Sequence, residues 1–160
     1  SRRQRQMCIR DSLWASTLGC NGIAALGSRG SGWPCHAIEH EVSAWYDITH
    51  GIGLAILTPR LLRFFLEKDA GFLPRFEGFA ERVMGLAPTE FDSREALAQA
   101  GIAALEAFYK SIGMPTRMGE LGAADCPVES LARHCCRRGP VGHILPLEAA
   151  DVEAILKDAF

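Results

Sequence analysis

No CxxC pair, no long apolar run and no dense basic patch beyond the first residues occur in this chain, and each gap closes off a class of function. The six cysteines are Cys8, Cys20, Cys35, Cys126, Cys135 and Cys136. Adjacent Cys135 and Cys136 make a poor start for a disulfide framework or a zinc finger. They are expected to be reduced thiols in a cytoplasmic protein, mostly filling small gaps in the core. No window reaches the ~18 apolar residues that a transmembrane helix needs, so no membrane partner is expected. A net charge of -2 leaves no electrostatic footprint for nucleic acid. Arg2-Arg3-Gln4-Arg5 reads as part of a solvated tail. Arginines ahead of Thr17-Leu18-Gly19-Cys20 mimic a lipoprotein signal, but Arg10, Asp11 and Asn21 interrupt the apolar stretch, so secretion is not expected. The phosphate-loop pattern and the G-x-S-x-G serine-hydrolase pattern are both missing. So is an initiator methionine; the chain reads as a fragment, with residues 1–11 a tail that need not be native sequence and 12–160 one helical domain.

What is present is ordinary soluble, helix-forming sequence: 160 residues, 48% apolar and 22% charged. Length and composition suit one domain with a proper core. Apolar spacing and breakers predict helices over about 13–26, 34–46, from His50 through Phe65, 73–84, 93–112, 128–138 and 147–159. Ser12 and Ser93 are candidate caps. Gly113-Met114-Pro115 closes the fifth helix. The helix from His50 is apolar nearly all round, which predicts a buried central position, with a bend at Pro59. Gly27 to Gly32 reads as a flexible connector. No alternating strand pattern of useful length appears, so the fold class is all-α.

The richest chemistry is His36-Ala-Ile-Glu39-His40, followed by His50, three of the five histidines within 15 positions. Positions 36 and 40 share a helix face, because four residues turn about 400°. Position 50 returns to nearly that face but about 21 Å further along a straight helix, too far for one ion to bridge. For His36 and His50 to share a metal, the chain must fold back, and Asp47-Ile48-Thr49 is the natural hinge. Three readings are open on the residues alone. In one, His36 and His50 hold a metal from two packed helices and His40 stands beside a substrate. In another, His36 and His40 are ligands and Glu39 is the general base of an H-x-x-E-H zinc peptidase. In the third, the histidines are hydrogen-bonded structural residues. Glu39 or Glu41 could orient a ligand histidine from behind. His134 has the wrong spacing for a closed tetrahedral set with Cys135 and Cys136, and His143 falls in a loop.

The run from Trp33 to Pro59, WPCHAIEHEVSAWYDITHGIGLAILTP, resembles the iron-containing (group III) alcohol dehydrogenases, most of all their butanol-dehydrogenase-like branch. Leu13–Leu18 with Asn21-Gly22, Phe108 with Ser111–Pro115, and Gly142–Pro146 with Asp151-Val152 and Ile155-Leu156 extend the likeness over about 13–160. The resemblance implies a helical bundle like the C-terminal metal-binding domain of that family, incomplete here, and lacking the N-terminal domain that binds NADP(H) or NAD(H). It implies one divalent metal, Fe²⁺ first and Zn²⁺ second, held by an Asp and three His. His36 and His50 match the last two ligands, and the others belong to an earlier helix. His40 matches a catalytic histidine near the nicotinamide and substrate. The implied activity is hydride transfer between nicotinamide and a primary alcohol or aldehyde, in an enzyme that is a homodimer when intact. The fragment alone is expected to be inactive, and a non-catalytic helical module is the other alternative beside the peptidase.

Overall fold

Breakers set the helix ends much as the sequence suggests. The computed structural model describes residues 2–23, 26, 27, 32–123 and 125–160. Among these are seven α-helices: α1 (Arg2–Cys20), α2 (Pro34–Tyr46), α3 (His50–Lys68), α4 (Leu73–Arg82), α5 (Arg94–Ser111), α6 (Val128–Cys135) and α7 (Ala149–Ala159). Ser93 caps α5, its Oγ accepting from the Ala96 N–H at 3.0 Å, as expected of a serine at that boundary. Gly113 follows the end of α5 at φ 81°, a conformation that glycine adopts without penalty. Glu148 and Asp151 form a capping box at the start of α7. The described residues contain no β-strand, only isolated bridges such as Val141 with Leu147.

One expectation fails. α1 starts at Arg2 rather than Ser12 and ends at Cys20 rather than near Leu26. Arg, Gln and Met are good helix formers, so the basic start continues the helix instead of fraying as a tail. Asn21 accepts from the Ile23 N–H, and Gly22 sits at φ 85°, which closes the helix early. The cysteines divide. Cys35, Cys126, Cys135 and Cys136 are half-buried against the core, whereas Cys8 and Cys20 on α1 are exposed and fill nothing. Of the connector expected at Gly27 to Gly32, residues 28–31 lie outside the described residues.

The chain divides into two units, Ser1–Ser31 and Gly32–Phe160. The second contains α2 to α7 and is organised on α3. One side of α3 gives Ile56, Leu57 and Leu61 to a core shared with Ile38 and Val42 of α2, Leu131 and Ala132 of α6, and Val152, Ile155 and Leu156 of α7. The other side gives Leu62, Phe65 and Leu66 to a smaller core around Phe76, Ala98 and Ile102 from α4 and α5. A helix apolar all round is the one that can serve two cores at once. α3 runs through Pro59 without ending. α4 and α5 approach closely at Gly101, where a Cβ would stand 2.6 Å from that of Ala80.

Candidate metal centre

α2 and α3 form a tight hairpin, and its turn is the expected Asp47-Ile48-Thr49. Asp47 ends α2 at φ 52°, with its N–H donating to Ser43 O at 2.8 Å. Trp33 begins α2 at φ 49°. A non-glycine residue in that left-handed region is costly, so both ends of α2 are held by their surroundings. His50 is then the first residue of α3, folded back beside the helix that carries His36 and His40.

The three rings converge. His36 and His50 have centroids 5.2 Å apart, His40 and His50 5.1 Å, and His36 and His40 6.4 Å. The 14-residue spacing therefore closes into one site, and across the turn that helix geometry required. Burial pushes the His36 imidazole below its ordinary pKa, with the neighbouring His50 and His40 adding to the effect and Glu39 opposing it. The outcome favours the neutral ring, which is the form that binds a metal. No side-chain hydrogen bond engages the His36 or His40 ring among the described residues, so their nitrogens remain available. The set fits a borderline metal of the imidazole-preferring kind.

The two carboxylates beside these histidines separate cleanly. Glu39 is fully buried. One of its oxygens accepts from His50 Nδ1 and the other from Ser43 Oγ, and Ser43 Oγ also lies 3.3 Å from the Ile48 carbonyl. Glu41 turns away to α6, where it pairs with His134 Nδ1 at 2.6 Å and with Arg137 at 3.1 Å. Glu39, His40 and His50 also bring ligand atoms within 4.8 Å of one another. Both oxygens of Glu39 are already engaged, by His50 and Ser43, so Glu39 supports His50 from behind. The peptidase arrangement needs Glu39 facing an ion held by His36 and His40. Here it faces His50, and His36–His40 is the widest of the three ring separations.

His40 is exposed and borders a cavity of about 380 Å³ shared with Arg137, Arg138, Pro140 and Val141. Sequence reading did not assign this wall. It forms because α6 ends at Cys135, three residues earlier than expected, and Gly139 turns the chain at φ 113° back past α2. His143 is exposed in the following loop.

Comparison with known proteins places these helices. The model of the family described as "Fe-containing alcohol dehydrogenase family, C-terminal" matches residues 5–160. The chain belongs to this family. It is 37% identical over 150 residues to NADH-dependent butanol dehydrogenase A of Clostridium acetobutylicum, covering 92% of this chain and 37% of that protein. Butanol dehydrogenase B of the same organism is 33% identical over 147 residues, with 91% and 37% covered. The crystal structure of NADH-dependent butanol dehydrogenase A from Thermotoga maritima superposes with a TM-score of 0.74 at 33% identity, covering 91% of this chain and 37% of that one. The chain thus spans little more than a third of the length of these relatives. The likeness establishes the all-α architecture as that of the C-terminal domain in iron-type alcohol dehydrogenases. No helix among the described residues is long and apolar enough to cross a membrane.

Proposed function

We propose that this chain supplies the metal-holding wall of the active site of an NAD(P)H-dependent alcohol dehydrogenase that interconverts small primary alcohols and aldehydes. The observation that carries the proposal is the convergence of His36 and His50 from opposite arms of one hairpin, in a chain of this family. In this reading His36 and His50 hold a divalent ion, Fe²⁺ in preference to Zn²⁺. A bound ion supplies Lewis acidity toward an alcohol or carbonyl oxygen, and a bound nicotinamide supplies or takes the hydride. Glu39 fixes the His50 ring from behind, while buried Ile38 and Val42 on the same helix keep α2 seated on the core. His40, on the exposed side and against the cavity, stands where substrate and nicotinamide would meet and can donate or accept a hydrogen bond there. The relatives' names support the cofactor and substrate class. We extend the proposal to a homodimer and a cytoplasmic location for the intact enzyme.

Two histidines fill half of a four-ligand set, so the 160-residue chain is expected to bind a divalent ion weakly. Titration with Co²⁺, followed by its visible absorption, tests the assignment. His36→Ala and His50→Ala should each abolish detectable binding, and His40→Ala should leave it within about twofold, far less than the about 10- to 100-fold that even an outer partner is worth. Tight one-to-one binding that survives His50→Ala would sink the assignment. The chain alone should not oxidise NADH with butyraldehyde, and turnover in that assay would show that the cofactor site lies within these residues.

A further inference from the structure

Glu39 is the fully buried carboxylate of the hairpin, and Ser43, His50 and Gly53 surround it. Ser43, one turn further along α2, donates to one oxygen. His50 Nδ1 meets the other. Gly53, one turn into α3, leaves the space: a Cβ there would lie 2.5 Å from Oε1 and 2.7 Å from Cγ of Glu39. Any side chain at position 53 therefore collides with this carboxyl group. The sequence pattern is a Glu and a Ser four apart on one helix, and a His and a Gly three apart on the next, which puts each pair on one face. A buried carboxylate without partners is strongly disfavoured, so this one is held only while both donors stay in place.

We infer that Glu39 is a positioning residue that locks His50 as its Nδ1–H tautomer, and that Gly53 is the gap this lock requires. The two ring nitrogens of an imidazole point apart. With Nδ1–H held by Glu39, the lone pair sits on Nε2 and faces away from the carboxylate, the form and direction a metal needs. An exposed, unheld histidine favours the opposite tautomer and samples several rotamers, and His50 is nearly half exposed. The inference rests on the metal-site reading above only in its consequence for binding; the tautomer itself is a property of the metal-free chain.

Long-range proton–nitrogen correlation spectra of the ¹⁵N-labelled chain, free of metal and at a pH of about 8, well above the ordinary histidine range, report the tautomer directly. The wild type should show His50 with Nδ1 protonated. Glu39→Leu keeps the bulk, deletes the acceptor and should shift His50 to mainly Nε2–H. Gly53→Ala, which displaces the carboxylate from the neighbouring helix and leaves both hydrogen-bonding residues intact, should produce part of the same shift. Glu39→Gln retains an acceptor and should preserve the wild-type pattern. Co²⁺ affinity should fall about 10-fold in Glu39→Leu and recover most of that loss in Glu39→Gln. If His50 keeps Nδ1–H in both Glu39→Leu and Gly53→Ala, the inference is overturned, however the chain binds metal. If the tautomer shifts as stated while His50→Ala still binds Co²⁺ normally, the lock stands and the metal-site reading falls.

Discussion

α3 carries two polar clusters, and they differ in a way that separates support from function. At its first residue, His50 meets Glu39, His36 and His40. Ten residues on, Arg60 is almost fully buried and reaches Glu106 of α5 at 2.8 Å, the Ile56 carbonyl at 2.7 Å and the Asp158 carbonyl at 3.3 Å. Arg63 pairs with the second oxygen of Glu106, and Arg117 donates to the same Asp158 carbonyl at 2.7 Å. The Arg60 cluster spends its donors inside the fold, tying α3 to α5 and covering the C-terminal end of α7, where cations are favoured. The histidine cluster is closed on one side only. Its rear is sealed by Glu39 and Ser43, and at its front no side-chain hydrogen bond engages the His36 or His40 ring among the described residues. A network that satisfies itself stabilises; in the proposed reading, the open side of the other is where a metal and substrate bind.

The largest expected effect lies in the closed cluster. Arg60→Ala leaves Glu106 with Arg63 alone and removes the packed stem of a long side chain. Because Glu106 remains partly exposed, the loss should fall at the low end for a broken buried pair, about 3 kcal/mol, read as a lower midpoint in urea. The paired change Arg60→Met with Glu106→Leu replaces both partners and should restore most of that stability. A single-variant loss below about 1 kcal/mol would erase the contrast between the two clusters.

How much of this was legible depended on the range of the signal. α2 was readable to the residue, because Pro34 can start a helix and Asp47 stops one within a few positions. The site's hairpin was readable too, since helix geometry forbids His36 and His50 from sharing an ion in any other way. α1 was misread because a basic run resembles a solvated tail, and local propensity decided otherwise. Glu39 and Glu41 could not be told apart in the sequence. Both are acids on one short helix, and only the packing of α3 and α6 decides which is buried against His50 and which pairs with His134. Gly53 and Ser43 escaped notice for the same reason: each acquires meaning from a helix that is distant or merely adjacent until the hairpin closes. Arg60 reads as an interruption of an apolar helix, and its partners lie 46 and 98 residues away.

The second effect is on acid stability. Burial tends to raise the Glu106 carboxyl, but its hydrogen bond to Arg63 and the charges of Arg60 and Arg63 outweigh that and hold it below its ordinary 4.5. A carboxylate whose folded pKa is depressed contributes stability that is fully present above its unfolded value. That contribution is lost as pH falls from about 4.5 through the lower folded value. Thermal melts of the wild type should therefore drop over this window, and Glu106→Gln should flatten the drop while lowering stability at neutral pH. Equal slopes in the two proteins would mean that the cluster is not what acid disrupts.

The smallest effect is the one that most sharpens the comparison. His40 is exposed, holds no side-chain hydrogen bond among the described residues and is not part of the core. His40→Ala should therefore change stability by no more than about 0.5 kcal/mol, as expected of a surface position free of caps, networks and strain. In an enzyme carrying these helices, the same change should remove much of the hydride-transfer rate without removing the metal. Stability and function would then part company along a single helix hairpin. If His40→Ala instead unfolded the chain as readily as Arg60→Ala, His40 would belong with the closed cluster, and the proposed role beside substrate and nicotinamide would fall.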